Sequence, residues 1–237
     1  MTDRVADDGR RRGLRLAAGL WLGYGLMAPA ARAAGLGSGD AARAVRVALE
    51  RGAQAAVSLL GRPDGFLAHP QVRIPLPGVL EDAAGLLKLT GQSAGVDELV
   101  TAMNRAAEAA VPLARPLLLD AVRSMSVQDA LGIVQGGDTS VTAFFAGKTR
   151  EPLTARFLPI VTRQTERVSL AEKYNAVAAR ASGLGLLRSE DANIQQYVTR
   201  KALDGLYFVI GEEEKKIRQD PAGTGSAILK KVFGSLD

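Results

Sequence analysis

Alanine- and leucine-rich stretches, apolar at helical spacing, alternate along this chain with tight clusters of glycine and proline. Apolar residues that return every three or four positions bury one side of an α-helix, and a glycine–proline cluster stops it. In "AARAVRVALERGAQAAVSLLG", Val45, Leu49, Ala56, Leu59 and Leu60 recur on one side. Asp40 stands where a cap is needed, and Gly61, Pro63, Asp64 and Gly65 close the segment.

The same reading carries along the chain. "EDAAGLLKL" is helical, and "VDELVTAMNRAAEAAV" places Leu99, Met103, Ala106 and Ala110 on one stripe. Pro112 and Pro116 restart the chain into "LLLDAVRSM", and Ser126 with Asp129 forms a capping box that opens "VQDALGIVQ". Gly136 and Gly137 end that helix, Asp138 or Thr139 caps "SVTAFFAGK", and Thr149 caps a further helix through "EPLTARFLPIVTRQTERV" despite Pro159. "LAEKYNAVAARA" and "ANIQQYVTRKALDGLYFVIGEEEKKIRQ" follow, the second ending at Asp220-Pro221 with Glu212 and Lys216 spaced for a weak surface pair.

One segment breaks the pattern. In "FLAHPQVRIPLPGVL", Pro70, Pro75 and Pro77 forbid continuous helix while Val72, Ile74 and Leu76 alternate with other residues, so the segment is extended, with one short edge strand expected near 72–76. The expectation is an all-α, single-domain helical bundle over 41–234 carrying this one proline-rich extended segment. Residues 34–40 read as a short linker and 235–237 as the C-terminal end.

Residues 1–33 read as a signal peptide. Arg10, Arg11, Arg12 and Arg15 precede "LAAGLWLGYGLMAPAARAA", and Ala31-Arg32-Ala33 supplies an A-x-A cleavage site. The apolar run from Leu16 to Ala31 is shorter than the ~20 residues a spanning helix needs and contains glycines and a proline. This predicts a periplasmic or secreted protein with no integral membrane segment after cleavage; "RRGLRL" does not decide between general and twin-arginine export. Removing the leader, which has six arginines against three aspartates, lowers the net charge from +5 to +2. With interspersed charges and few aromatics, the remainder lacks the basic stripe and stacking platform of a nucleic-acid binder, so nucleic acid is not an expected partner.

The absence of cysteine excludes disulfides, thiolate nucleophiles and zinc–thiolate sites, and a single histidine, His69, excludes a multi-histidine metal site within one chain. No metal and no cofactor is expected, and His69 reads as a loop residue, since no nucleophile or orienting carboxylate can be assigned to it.

Polar clusters interrupt the apolar stripes. "MNRAAE" sets Asn104, Arg105 and Glu108 within one helical turn, so an inward-facing copy buries a hydrogen-bonding network, expected to include Lys173 or Asn175 from "EKYN". Lys173, Tyr174 and Asn175 therefore join Asn104, Arg105 and Glu108 as the candidate binding cluster, against the alternative of a surface ion pair and a solvated turn. "PAGTGSAILKKVFG" suggests a phosphate cradle, but a P-loop needs G-x-x-x-x-G-K-[ST] after a strand, and here a helix precedes. The simpler reading is a glycine reversal into a short helix docked through Ile228, Leu229, Val232 and Phe233. Thr224, Ser226, Lys230 and Lys231 remain as weak anion-binding candidates.

The stretches "GRPDGFLAHPQVRIPLP", "MNRAAEAAVP", "LTARFLPIV", "LAEKYN", "VTRKALDGLYFVIGEEEKKIRQDPAGTGSAILKKVFG" and the "GGD" turn, taken in order, resemble the bacterial exported proteins catalogued as domain of unknown function 4197. The resemblance spans almost the whole chain after the leader. It implies an envelope location and one domain from about Ala41 to Gly234, and supplies no reaction. Three functional classes are open: a non-enzymatic module that binds an envelope macromolecule, the leading expectation; a carrier or sensor of a small or lipidic ligand held between helices; and a hydrolase using Glu108 or another carboxylate.

Overall fold

The computed structural model describes residues 38–78, 81, 93–167, 169–185, 187–188 and 191–220. The signal-peptide reading, the "EDAAGLLKL" helix beyond residue 81, and the tail with Thr224, Ser226, Lys230 and Lys231 lie outside these residues. The described elements are α1 (Ser38–Leu60), α2 (Ser93–Ala110), a 3₁₀ turn (Val111–Leu113), α3 (Ala114–Arg123), α4 (Val127–Gln135), α5 (Ser140–Thr165), α6 (Ser169–Gly183) and α7 (Ile194–Gln219). The fold is all-α, and no strand occurs among the described residues. None of these helices is long and apolar enough to cross a membrane.

Several local signals act as their chemistry requires. Ser126 and Asp129 form the reciprocal capping box that opens α4, with the Asp129 amide donating to Ser126 Oγ at 3.0 Å and the Ser126 amide to Asp129 Oδ2 at 3.0 Å. Asn193 caps α7 by accepting from the Gln196 amide at 3.0 Å. The capping role expected of Asp40 is not its role here: α1 begins two residues earlier, at Ser38, which leaves Asp40 in the first turn, where a carboxylate still favours the positive helix end. Near the other end of α7, lysines pair one turn back at three-residue spacing, Lys215 with Glu212 and Lys216 with Glu213, rather than Lys216 with Glu212.

α5 corrects a larger expectation. Thr149 does not begin a second helix; it lies buried in the middle of a continuous one that contains Pro152 and Pro159. Both prolines are exposed, as are Lys148 and Ala155, whose carbonyls lose their usual amide donors and can turn to water. The buried positions Val141, Phe145, Thr149, Leu153, Phe157, Val161 and Thr165 fall at strict four-residue intervals. At 3.6 residues per turn each such step rotates by about 40°, so the apolar ridge winds around the helix and meets successive neighbours. This ridge packs α5 against α7, α2, α3 and α4. Burial of each large side chain on it contributes about 1.5–3 kcal/mol, enough to offset the proline interruptions.

α7 is the central element, packing against α5, α1 and α2, and Tyr197, Val198, Ala202, Leu203, Leu206, Tyr207 and Ile210 on it are buried. It runs antiparallel to α5: Ser140 meets Glu214, Arg150 meets Asp204, and Leu158 lies opposite Gln196. After α1 the chain reverses through Asp64, whose φ of 65° is left-handed, and Gly65, where a Cβ would come within 2.5 Å of the Leu60 carbonyl oxygen. Phe66 then plunges into the core, filling the space over Gly205 of α7.

Candidate functional site

The two polar clusters expected to form one network are separate, and each fastens irregular backbone to a helix. On α2, Asn104 is fully buried and clasps the extended segment: its Oδ1 accepts from the Ile74 amide at 2.8 Å, and its Nδ2 donates to the Ile74 carbonyl at 2.9 Å and to the Val100 carbonyl at 2.8 Å. This clasp replaces the edge strand expected near 72–76. With Pro75 and Pro77 lacking amide donors, a side-chain amide supplies the ladder-like pair that a neighbouring strand would have made. Tyr197 of α7 adds a hydrogen bond to the Pro75 carbonyl at 2.9 Å.

One turn further along α2, Glu108 is buried and accepts through Oε1 from the Phe66 amide at 3.0 Å and the Leu67 amide at 3.1 Å. Its Oε2 accepts from Arg105 at 2.7 Å, and Arg105 reaches on to Asp64 at 2.8 Å. "MNRAAE" is thus a pair of latches that hold the turn after α1 and the proline-rich segment onto α2. His69 sits half-buried in the same stretch, its carbonyl accepting from the Val72 and Arg73 amides.

Tyr174 and Asn175 of "EKYN" perform the same task elsewhere and do not reach Asn104 or Glu108. Tyr174 is buried and donates to the Asp191 carbonyl at 2.8 Å, while Asn175 Oδ1 accepts from the Ile194 amide at 2.9 Å and its Nδ2 donates to Gln195 at 3.2 Å. Lys173 is exposed. Burial raises the Tyr174 phenol well above its usual range, with the nearby Tyr197 and Asp191 adding to the shift, and pushes Tyr197 up to about 12.

A groove that the sequence reading missed runs between α5 and α7. Its first part, about 350 Å³, is lined on α5 by Arg150, Thr154 and Leu158, which are four apart, and on α7 by Gln196, Thr199, Arg200 and Leu203. A second part of about 320 Å³ shares Leu158 and Gln196 and continues toward Thr162, Glu166, Asn193 and Asn175. Arg150 donates to Asp204 at 2.9 Å with its guanidinium 5.0 Å from the centre of the Tyr207 ring; Arg200 pairs with the buried Asp191 and lies 5.5 Å from the centre of the Tyr197 ring. Fixed in this way, both cations are held at the groove. Of the residues read from the sequence as a binding cluster, Asn175 lines this groove, Asn104, Arg105, Glu108 and Tyr174 brace the scaffold, and Lys173 is exposed. The signal that could have found it is the pair of helical stripes, "R150-x₃-T154-x₃-L158" and "Q196-x₂-T199-R200-x₂-L203", each polar at one end and ending in leucine.

No curated protein and no solved structure matches the chain. A family model described as protein of unknown function (DUF4197) matches residues 35–234, and the chain belongs to that family.

Proposed function

We propose that the protein is exported to the cell envelope with loss of residues 1–33 and serves there as a non-enzymatic binding module whose binding face is the α5–α7 groove. The observation that carries this reading is the groove itself. Two contiguous volumes of about 350 and 320 Å³ lie along the packed helices α5 and α7, with arginines, threonines and side-chain amides presented beside Leu158 and Leu203. Walls built on packed helices keep their shape, which favours recognition by a preorganised surface.

The rival readings have less support. A hydrolytic role for Glu108 requires a carboxylate free to handle a proton, and both of its oxygens already accept hydrogen bonds from Phe66, Leu67 and Arg105. A carrier that encloses its ligand needs a chamber; among the described residues the void that Glu214 lines among α1, α4, α5 and α7 is about 20 Å³, room for about one water, so a ligand held between helices would have to use the α5–α7 groove itself.

Site-specific photo-crosslinking in expressing cells tests the proposal. Probes at the exposed groove positions Thr154 and Gln196 should give adducts in the envelope fraction, while probes at Arg123 on α3 and Ala109 on α2 should not. N-terminal sequencing of the same fraction should begin at Ala34. A full-length chain held in the cytoplasm, or adducts that form equally at all four positions, overturns the reading.

A further inference from the structure

The part of the groove beside the start of α7 is lined by half-buried and exposed side chains, and four of them are carboxamides: Asn175 on α6, the cap residue Asn193, and Gln195 and Gln196 in the first turn of α7. Three are fixed through their carbonyl oxygens. Asn175 Oδ1 accepts from the Ile194 amide at 2.9 Å, Asn193 Oδ1 from the Gln196 amide at 3.0 Å, and Gln195 Oε1 from Asn175 Nδ2 at 3.2 Å. A backbone N–H can only donate, so these bonds settle which end of Asn175 and Asn193 is oxygen, and through Asn175 that of Gln195. Among the described residues, both N–H groups of Asn193 and of Gln195, and the second of Asn175, are left over by the scaffold.

The α5 wall adds to this set. Thr149, Thr154 and Thr165 each turn the side-chain hydroxyl back to the carbonyl one turn earlier, at 2.7, 2.8 and 2.8 Å, whereas the half-buried Thr162 makes no such bond and keeps its hydroxyl for the groove it lines. Glu166 caps the C-terminal end of α5, where the helix dipole disfavours negative charge. Among the described residues its exposed carboxylate has no hydrogen-bond or ion-pair partner, although Arg163 and Arg167 are near in sequence. Uncharged donors held in place suit uncharged carbonyl oxygens, since an anion would meet Glu166. Glu166 itself suits a cation, and the half-buried Leu158 an apolar group. An extended polypeptide carries all three in one chain, whereas a neutral saccharide offers nothing to Glu166. The fold already holds extended backbone with a carboxamide, in the pairing of Asn104 with Ile74.

We propose that this end of the groove binds an extended segment of a partner polypeptide, its backbone carbonyls accepting from Asn175, Asn193 and Gln195, an apolar side chain lying on Leu158 and a lysine or arginine meeting Glu166. Leu158 and Glu166 are eight positions apart on α5, about 12 Å along the axis at about 1.5 Å per residue. Four residues of extended chain cover about 13 Å, and alternate side chains share a face, so the apolar and basic residues of the segment stand about four apart. The proposal rests on the groove being the binding face and names the chemistry that it selects.

The probe is the acetylated and amidated peptide Thr-Leu-Thr-Ser-Thr-Lys-Thr, titrated into the purified protein by calorimetry, with the same peptide carrying glutamate for lysine and the neutral saccharide triacetylchitotriose as separate arms. The lysine peptide should bind saturably below about 1 mM and at least about tenfold more tightly than the glutamate peptide, a preference that should shrink as salt rises from about 0.05 to about 0.5 M. Glu166→Gln should bring the two peptides within about twofold of each other, and Gln195→Leu should weaken both about fivefold or more. Glu166→Gln removes a carboxylate that pairs with no described residue, so its melting temperature should match that of the parent. This separates loss of binding from loss of fold. Absence of saturable binding of the lysine peptide at about 1 mM, equal affinity for the two peptides, or unchanged binding in both variants overturns the proposal. Tighter binding of triacetylchitotriose than of the lysine peptide also overturns it and assigns the face to a glycan. Groove adducts at Thr154 and Gln196 with no peptide binding would overturn the peptide assignment alone and leave the binding-face reading standing.

Discussion

Replacing Glu108 by alanine tests the latch on α2 most directly. The change deletes the acceptor of two backbone amides, those of Phe66 and Leu67, and the partner of Arg105. A buried donor left unsatisfied costs about 1–3 kcal/mol. Phe66 is fully buried and falls in the upper part of that range, whereas Leu67 is half-buried and falls near the bottom. Arg105 adds little, because its side chain is 40% exposed and keeps Asp64 and water. The sum is about 3 kcal/mol for Glu108→Ala. Glu108→Gln keeps an acceptor for the two amides but turns an N–H₂ group toward Arg105, donor against donor, and should cost about 1 kcal/mol. Urea unfolding followed by far-ultraviolet circular dichroism measures both, with an unchanged m-value as the check that the same surface is exposed. Hydrogen exchange at the Phe66 and Leu67 amides should accelerate in the alanine variant beyond what the global destabilisation explains. If both variants lie within a few tenths of a kcal/mol of the parent, the carboxylate is not holding the turn and the reasoning fails.

Two further outcomes follow from the packing around α7. A Cβ on Gly205 would lie 2.8 Å from Phe66 Cε1 and 3.2 Å from Val72 Cβ, so Gly205→Ala should cost about 1–3 kcal/mol by thermal melting, and Phe66→Leu in the same chain should recover part of that cost; additive losses would refute the contact. Burial raises Glu214 above its ordinary 4.5 despite the opposing hydrogen bonds from Arg218 and Ser140. The folded state therefore binds this proton more tightly than the unfolded chain, and the associated stability is complete below about 4.5 and is lost as pH rises through the raised value. Glu214→Gln should accordingly improve relative to the parent between about pH 4 and about pH 7, and a pH-independent offset between the two would contradict the shift.

Two local signals act in the structure as their chemistry predicts. The Ser126–Asp129 capping box needs residues three apart, and the prolines that keep 70–77 out of a helix act through their own rings and the residues beside them. Three expectations that differ from the structure share one cause, contacts between residues distant in sequence. Thr149 stood as the cap of a new helix, but the winding ridge from Val141 to Thr165 finds neighbours along its whole length, and that packing carries one continuous helix through Thr149, Pro152 and Pro159. The alternation Val72-Ile74-Leu76 argued for a strand, yet the partner of Ile74 is a side chain thirty residues away on α2. Glu108 was expected beside Lys173 or Asn175 and instead holds Phe66 and Leu67.

The sequence by itself determined that the chain is helical, where several helices start and stop, that "MNRAAE" carries polar groups able to be buried, and that disulfide, thiolate and multi-histidine chemistry within one chain is excluded. These follow from propensity, periodicity and residue type, which act over a few positions. Only the tertiary structure decided which groups those polar residues satisfy and that a groove exists at all. Arg150 and Arg200 are fifty residues apart and become neighbours because α5 and α7 pack antiparallel, each burying its own apolar stripe against the other. The choice of partner depends on the packing of the entire core, and no spacing within either helix encodes it.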